Sequence, residues 1–220
     1  MESVLVFLKP DAVIRRYIGS RTIKEFLDAE FRIIYIGEVS PSREFIAAKH
    51  YAQHRGRFFY DWLVDYVTSS PLIVLILTAD NVIHEVRTLL GYTIPEEADC
   101  KSIRGKYGIL GGINVAHASD NGVNSKRELD IWKNIIKIQK NHNYVEEANV
   151  YVLKYIDFPM VDVTRYREIS NQLLNEEISK NNAKHLFINL LSKESDFAPE
   201  TISRFAEIMV KNALVRKMEQ

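Results

Sequence analysis

Residues 105–120 read GKYGILGGINVAHASD, a glycine-rich loop that runs into a short apolar segment and a histidine, His117. Four of the nine glycines fall in this stretch, and none follows Gly122. Glycine marks turns and close approaches of the backbone, so the tight loops are predicted in the front part of the chain. The last 98 residues contain no glycine and are predicted to be largely helical.

Apolar runs on either side of this loop predict the strands of one sheet. They cover residues 3–9, 31–40, 71–78 and 113–116. The first predicted helix begins at Gly19-Ser20, with Ser20 as its N-cap. Four further helices are predicted over residues 41–53, 60–69, 81–90 and 125–132. The resulting order βαβααβαβ fits the α+β class: a ferredoxin-like βαββαβ antiparallel sheet, with a helix pair inserted before the third strand. Residues 91–112 match neither period, and so long a loop inside a compact domain is usually functional.

The sequence after residue 135 predicts a mainly helical C-terminal extension, residues 136–220, that follows a first domain of residues 1–135. Residues 149–156 (NVYVLKYI) are a strand candidate, and three amphipathic stripes predict helices. The stripes are Ile169/Leu173/Leu174/Ile178, Leu186/Phe187/Leu190/Leu191 and Ile202/Phe205/Ile208/Met209. These faces need a surface to pack on, so we expect a homo-oligomer in which the extension lies at or beside a subunit interface, away from His117. The alternative is a small bundle on the same subunit.

Composition excludes several classes of protein. The 220 residues are 46% hydrophobic and 26% charged, with 29 basic and 29 acidic side chains. This balance gives no broad basic field, so a specific nucleic-acid partner is not expected. A single cysteine, Cys100, excludes an intrachain disulfide framework. The N-terminus lacks the basic region of a signal peptide, and no apolar run is long enough to span a bilayer. We expect a soluble, cytoplasmic protein without a membrane partner.

The standard glycine cradles for phosphate are absent, because neither a P-loop nor a G-x-G-x-x-G motif occurs. If the chain binds phosphates, side chains must hold them. The candidates are Lys9, at the end of the first strand, Arg87, just before the long loop, and Thr93 and Arg104 within it. Arginine binds phosphate oxygens bidentately and lysine acts as a point charge. The alternative is that these are dispersed surface cations.

His117 is the candidate nucleophile. A neutral imidazole is a good nucleophile near neutral pH, and a carboxylate on its second nitrogen fixes the tautomer. Glu128, one short helix away, could supply that carboxylate. Without further information a lone histidine is more often structural or on the surface.

Several blocks of sequence together resemble the nucleoside diphosphate kinase family, over about residues 3–133. They are NVAHASD at 114–120, Lys9-Pro10-Asp11, Lys49-His50-Tyr51 with Arg57-Phe58-Phe59, residues 81–95 and Ser102-Ile103-Arg104-Gly105. The resemblance implies ping-pong transfer of a γ-phosphoryl group from a nucleoside triphosphate to a nucleoside diphosphate through phospho-His117. ATP, GTP and other nucleotides are the implied partners. Mg²⁺ is the implied cofactor, held mainly by the nucleotide phosphates rather than by a protein metal site.

The resemblance also assigns roles to residues. His117 is the nucleophile, Glu128 orients its ring, and Ser119 supports the site. Lys9 is the fourth residue assigned to catalysis. Phosphate and ribose contacts are implied for Lys9, Tyr51, Arg87, Thr93, Arg104 and Asn114. Phe59 is expected to stack on the base. The chain departs from the family pattern at Ala118, Lys106, Ile113 and Phe58, none of which is a catalytic position.

Other polar features point to ordinary structure. His50 and His54 are spaced i,i+4 and could seed a metal site, but a helix surface is favoured since no third ligand is near. Arg15-Arg16 is interpreted as a solvated helix start, and Trp62 and Tyr66 as core. An active kinase is therefore the leading hypothesis. The alternative is a kinase-like fold that serves mainly as an interaction module through its helical extension.

Overall fold

Four strands form one antiparallel sheet in the order β2-β3-β1-β4. They are β1 (Glu2–Leu8), β2 (Arg32–Val39), β3 (Leu72–Ala79) and β4 (Ala116–Ala118). β1 pairs with β3 along its whole length and with β4 at its end, and β2 pairs with β3. The computed structural model, which describes residues 1–218, thus confirms the predicted ferredoxin-like sheet and its additional C-terminal helices.

Helices surround the sheet and, with their connecting loops, form the described part of the extension. They are α1 (Pro10–Ile14), α2 (Arg16–Asp28), α3 (Arg43–Phe45), α4 (Tyr60–Val67), α5 (Val82–Leu90), α6 (Ile103–Tyr107), α7 (Gly122–Trp132), α8 (Tyr144–Tyr155), α9 (Val163–Leu174), α10 (Lys180–Glu194) and α11 (Pro199–Lys217). Within residues 1–218, none of these helices is both long enough and apolar enough to cross a bilayer.

The sheet is buried on both faces, which explains the near-continuous apolar run of β1. Leu5 and Phe7 point to one core, and Val4, Val6 and Leu8 point to the other. All five side chains are fully buried. Alternation along the strand therefore divides the core into two layers, one on each side of the sheet.

The extension contributes to both layers. α8 packs against α2 and β2 on the Val6 side, and α9, α10 and α11 pack together on the Phe7 side, where α11 also contacts α4. The stripes of the last three helices are largely buried within this one chain; Phe187 and Phe205 have no exposed surface. This packing matches the predicted alternative, burial on the same subunit. It removes the argument by which the extension pointed to an oligomer, and the homo-oligomer stays a prediction.

The strand predicted at residues 149–156 is wrong, because this segment lies in α8. Its β-branched and aromatic residues suit a strand locally, but the helical pattern begins earlier. Tyr144, Ala148, Val152 and Tyr155 are buried at helical spacing. Asn143 caps the helix, since its side chain accepts a hydrogen bond from the backbone N–H of Glu146 at 3.2 Å.

Three other boundaries differ from the prediction. α2 begins at Arg16, so Ser20 lies within the helix and not at its N-cap. The predicted helix over residues 41–53 is broken by a π-helical turn, Ile46–His50, in which the N–H of Tyr51 donates to the carbonyl of Ile46. The last strand lies two to three residues later than predicted, so His117 is its central residue.

The interpretation of Arg15 and Arg16 as a solvated helix start is also wrong. Arg15 is fully buried and its Nε donates to Glu194 Oε2 at 3.2 Å, at the end of α10. Its guanidinium also lies over the ring of Tyr166, whose hydroxyl bonds the same carboxylate. Arg16 is nearly buried and pairs with Asp196 at 2.5 Å. Both partners lie about 180 residues further along the chain, so no local pattern reveals them.

We predict that Glu194→Gln strongly destabilises the fold, because it leaves the buried charge of Arg15 without a counter-charge. Breaking a buried pair from one side typically costs about 3–5 kcal/mol in the free energy of unfolding. Asp196→Asn is the matched control: Asp196 is 42% exposed, so water screens its charge and we expect a smaller loss than for Glu194→Gln. Urea unfolding curves of the three proteins measure both losses. Equal, small losses would contradict a central role for the Arg15–Glu194 pair.

Candidate active site

His117 is placed by its strand. β4 pairs with the end of β1, where His117 lies directly opposite Phe7. The two rings stack with centroids 4.8 Å apart, so the imidazole rests on the core of the sheet. Its side chain is 18% exposed, which leaves one edge open to a ligand.

Glu128 fixes the orientation and tautomer of His117. The carboxylate Oε2 lies 2.8 Å from His117 Nε2 and accepts a hydrogen bond from the Ser119 hydroxyl at 2.8 Å. Arg127 donates to the other oxygen at 3.1 Å. Burial by itself raises the pKa of Glu128, but His117, Ser119 and Arg127 together hold this pKa below its usual value. An ionised Glu128 accepts a hydrogen bond from the Nε2–H of His117, so the lone pair of the neutral imidazole is on Nδ1.

A strained residue two positions before His117 shapes the loop. Val115 has φ +75°, an unusual conformation for a β-branched residue. Its N–H donates to Asp11 Oδ2 at 2.9 Å, and its carbonyl accepts from the N–H of Lys9 at 2.9 Å. Asp11 Oδ1 accepts from the Tyr66 hydroxyl at 2.5 Å. Asp11 is fully buried, and its structural role was not predicted.

Lys9 reaches the same loop from the end of β1. Its Nζ donates to Asn114 Oδ1 at 2.7 Å and to the carbonyl of Gly112 at 3.3 Å. Burial, and then the charge of Arg104, lower the pKa of Lys9 to about 7. The adjacent Gly112 must be glycine, since a Cβ there would lie 2.6 Å from the indole of Trp62.

Arg104 ties the long loop to the strand that carries His117. It donates to the carbonyls of Gly91, Asn114 and Ala116 at 2.8, 3.2 and 2.8 Å. Burial, and then the nearby charge of Arg87, lower its pKa to about 10. Arg104 therefore keeps the loop in place and still presents a positive charge beside Lys9.

One cavity of about 430 Å³ brings nearly all of the predicted site residues together. The predicted residues among those that line it are Lys9, Tyr51, Phe59, Arg87, Thr93, Arg104, Asn114, His117 and Glu128. Ser119 is fully buried and does not line the cavity, but its hydroxyl donates to Glu128, which does. Burial, and then the charge of Glu128, raise the pKa of Tyr51, so its hydroxyl stays neutral.

His50 is part of this site and not of a helix surface, contrary to the prediction. It is fully buried, with its ring 4.6 Å from that of His117, and its Nδ1 accepts from Trp132 Nε1 at 3.2 Å. Burial, and then the charge of His117, hold the pKa of His50 well below its usual value. The extra residue of the π-helical turn brings His50 inward, and the i,i+4 spacing with His54 gave no sign of it.

Comparison with known proteins identifies the family. A family model described as nucleoside diphosphate kinase matches residues 2–136, more than half of the chain. The chain belongs to the nucleoside diphosphate kinase family.

Individual relatives match the same part of the chain. The nucleoside diphosphate kinase of Synechococcus elongatus is 36% identical over 132 residues, which are 60% of this chain and 87% of that protein. The Methanothermobacter thermautotrophicus protein of the same name is 39% identical with the same coverage. The crystal structure of the Encephalitozoon cuniculi nucleoside diphosphate kinase is 28% identical, has a TM-score of 0.59, and matches 69% of this chain and 100% of its own. The Aquifex aeolicus structure is 30% identical with a TM-score of 0.56, over 59% of this chain and 93% of its own.

The cavity lining has fewer acidic than basic side chains, so it fits Mg²⁺ carried by a nucleotide better than Mg²⁺ caged by the protein. Mg²⁺ prefers oxygen ligands, and the carboxylates of the lining are Asp120 and Glu128, beside the cations Lys9, Arg87, Arg104 and Arg216. The carboxylate of Glu128 is engaged by His117, Ser119 and Arg127. The ligand atoms of His50, His117 and Glu128 lie within 4.8 Å of one another, but two imidazoles and one carboxylate suit a softer metal than Mg²⁺.

We predict that nucleoside diphosphate binding at pH 8 takes up about one proton, because Lys9 with a pKa of about 7 is mostly neutral in the free protein and a bound polyphosphate restores its charge. Uptake should disappear as the pH falls below that pKa, where Lys9 is already protonated. Calorimetric titration of ADP in buffers of different ionisation enthalpy measures the proton count.

The lysine is tested by Lys9→Met, which should abolish the uptake. Lys49→Met, at an exposed lysine, is the matched control and should keep it. Uptake that survives in Lys9→Met would assign the proton to another group.

Proposed function

We propose that this chain transfers the γ-phosphoryl group of a nucleoside triphosphate to a nucleoside diphosphate by a ping-pong mechanism through phospho-His117. Family membership gives the class of enzyme, a phosphotransferase that uses nucleotides. The observation that carries the mechanism is the pairing of His117 Nε2 with Glu128 at 2.8 Å, which directs the Nδ1 lone pair to the reaction. His117 and the cations Lys9 and Arg104 line the same cavity.

In the first half-reaction, Nδ1 of His117 attacks the γ-phosphorus. The N–P bond forms, the bond from that phosphorus to the β,γ-bridging oxygen breaks, and the nucleoside diphosphate leaves with the electron pair. The ring becomes positive as it is phosphorylated, and Glu128 stabilises that charge through the Nε2–H bond. A second nucleoside diphosphate then attacks the phosphorus along the reverse path and restores neutral His117.

Positioning and charge neutralisation supply the rest of the catalysis, since phosphoryl transfer needs little covalent chemistry from the protein. Lys9, Arg87 and Arg104 are the cations that we assign to the phosphates, and Asn114 is held in place because its Nδ2 donates to the backbone carbonyl of Thr93 at 2.7 Å. Mg²⁺ bound to the nucleotide would neutralise its β- and γ-oxygens. Phe59, partly buried in the cavity wall, would stack on any base, because every base has a π-face.

The alternative, an interaction module without turnover, is not favoured. Glu128 and Ser119 are bonded in the arrangement that the chemistry needs, which a module would not require. A cytoplasmic location and a homo-oligomer stay predictions.

We predict that His117→Ala abolishes both phosphoenzyme formation and nucleotide exchange, while nucleotide affinity stays within a few-fold of the parent's. Incubation with γ-labelled ATP, followed by denaturing gels, detects the intermediate. His84→Ala removes an exposed histidine on α5 and should keep full labelling. The label should be lost in acid and kept in base, because protonation of a phosphoramidate nitrogen weakens the N–P bond and the phosphoryl group is then hydrolysed. An acid-stable label would point to a hydroxyl such as Ser119 and contradict the mechanism.

We predict a milder loss for Glu128→Gln, since Glu128 orients the ring and does not attack. Loss of such orienting partners at metal-bound histidines costs about 10–100-fold, and we expect a fall of this size in the rate of phosphoenzyme formation. Asp130→Asn, which removes an exposed carboxylate from the same helix, is the control and should leave the rate unchanged. A Glu128→Gln rate equal to that of the parent, by rapid-quench kinetics, would exclude the orienting role.

A further inference from the structure

The last helix of the extension forms part of the wall of the active-site cavity. Asn212, Val215 and Arg216, all on α11, line the same cavity as His117, so the expectation that the extension lies away from His117 is wrong. They lie outside residues 2–136, the part of the chain that matches the family model. The extension therefore brings side chains to the site that the family match does not account for.

α11 is fixed in this position by bonds to two elements of the first domain. Asn212 Nδ2 donates to the carbonyl of Leu110 at 3.0 Å, and Trp62 Nε1 donates to the carbonyl of Ile208 at 3.1 Å. Asn212 is buried, so its bond is shielded from water. The helix thus spans from α4 to the glycine loop that precedes His117.

Arg216 occupies the space beside the glycine loop. A Cβ on Gly111, which has φ +53°, would have Arg216 Cδ and Nε as its nearest neighbours, at 3.6 and 3.9 Å. Arg216 also lies 3.7 Å from Glu96, with 22% of its side chain exposed. The side chain of Arg216 therefore lies within van der Waals reach of Gly111, at the glycine loop that lines the cavity.

The chemistry of the wall indicates which part of a nucleotide meets α11. Lys9 and Arg104, two cations that match phosphates, bond to the segment 112–116 that leads into His117, whereas Phe58, Phe59, Trp62 and Leu63 give the cavity an apolar part. A base is flat and apolar on both faces, with polar atoms on its edge. Val215 adds to the apolar wall, and Arg216 adds hydrogen-bond donors to it.

We infer that Arg216 contacts the edge of the nucleobase and makes the site favour guanine nucleotides. This inference rests on the proposed function, because it takes the cavity as the nucleotide site. The planar guanidinium donates two parallel hydrogen bonds, and guanine presents two adjacent acceptors, O6 and N7. Adenine presents a donor, N6–H₂, in place of O6, so it matches only one of the two. The extension thereby becomes the part of the chain that sets base preference.

The test is calorimetric binding of GDP, IDP, ADP and inorganic triphosphate to the full-length chain and to Arg216→Gln. IDP keeps O6 and N7, and triphosphate has no base. We expect GDP and IDP to lose about 10-fold in affinity, ADP about 2-fold or less, and triphosphate none, because only O6 and N7 together match the guanidinium. Lys211→Gln removes an exposed cation from the same helix and should change none of the four.

Two further variants separate a contact from a structural role. Arg216→Lys keeps the charge and stem but not the fork, so it should lose the preference for GDP over ADP. Glu96→Gln weakens the ion pair with Arg216 and should keep that preference. Equal losses for GDP, ADP and triphosphate, or an unchanged GDP affinity, would overturn the inference. The binding measurements need no turnover. A parent protein that never forms phosphohistidine would therefore refute the proposed function, while these affinities would still decide the role of Arg216.

Discussion

The active site depends on one buried carboxylate, that of Asp11. It accepts the N–H of Val115 and the hydroxyl of Tyr66, so it holds a β-branched residue at positive φ. A conformation of this kind costs about 1–3 kcal/mol and persists only where surrounding bonds enforce it. The unusual turn at Val115 lies between Asn114, which meets Lys9, and His117, which meets Glu128. The geometry of both contacts is thus set by a residue that does not line the cavity.

The same carboxylate connects the site to the C-terminal extension. Tyr66, its second partner, stacks on Phe205 of α11 with ring centroids 6.1 Å apart, and Trp62, one turn earlier on α4, bonds the backbone of that helix. At the C-terminal end of α1, Arg15 donates to Glu194 at the end of α10. The extension therefore supports the helix that carries Asp11 through two separate sets of contacts. This explains how residues 137–218, beyond the family match, become part of the packing of the site and not an appendage to it.

The sequence predicted the features whose causes are local and missed those whose causes are distant. The strands and His117 with Glu128 were accessible because each depends on a short apolar run or on a motif of a few residues. Asp11, His50 and Arg15 were not, because their partners lie 55 to 179 residues away and burial reverses the default reading of a charged or polar residue. Helix α8 was missed for another reason: the predicted strand began at Asn149, so it left out the cap at Asn143 and half of the buried stripe of the helix. The lining of the cavity by Arg216 had no sequence signal, since it is created by the docking of α11.

The cavity is electrostatically unfavourable until a polyanion enters it. Burial is the largest cause of the lowered pKa values of Lys9 and Arg104, and a neighbouring cation, Arg104 for Lys9 and Arg87 for Arg104, lowers each pKa further. A lysine with a lowered pKa binds fewer protons in the folded chain than in the unfolded one. For Lys9 this cost is absent above its usual pKa of 10.5, grows as the pH falls towards 7, and is complete below that value. At neutral pH the folded chain therefore contains a strained turn at Val115 and a partly deprotonated Lys9. The packing of the extension offsets part of the free energy that these two features cost. A bound polyphosphate reverses the electrostatic part by restoring the charge of Lys9, so ligand binding and fold stability are coupled through this one amine.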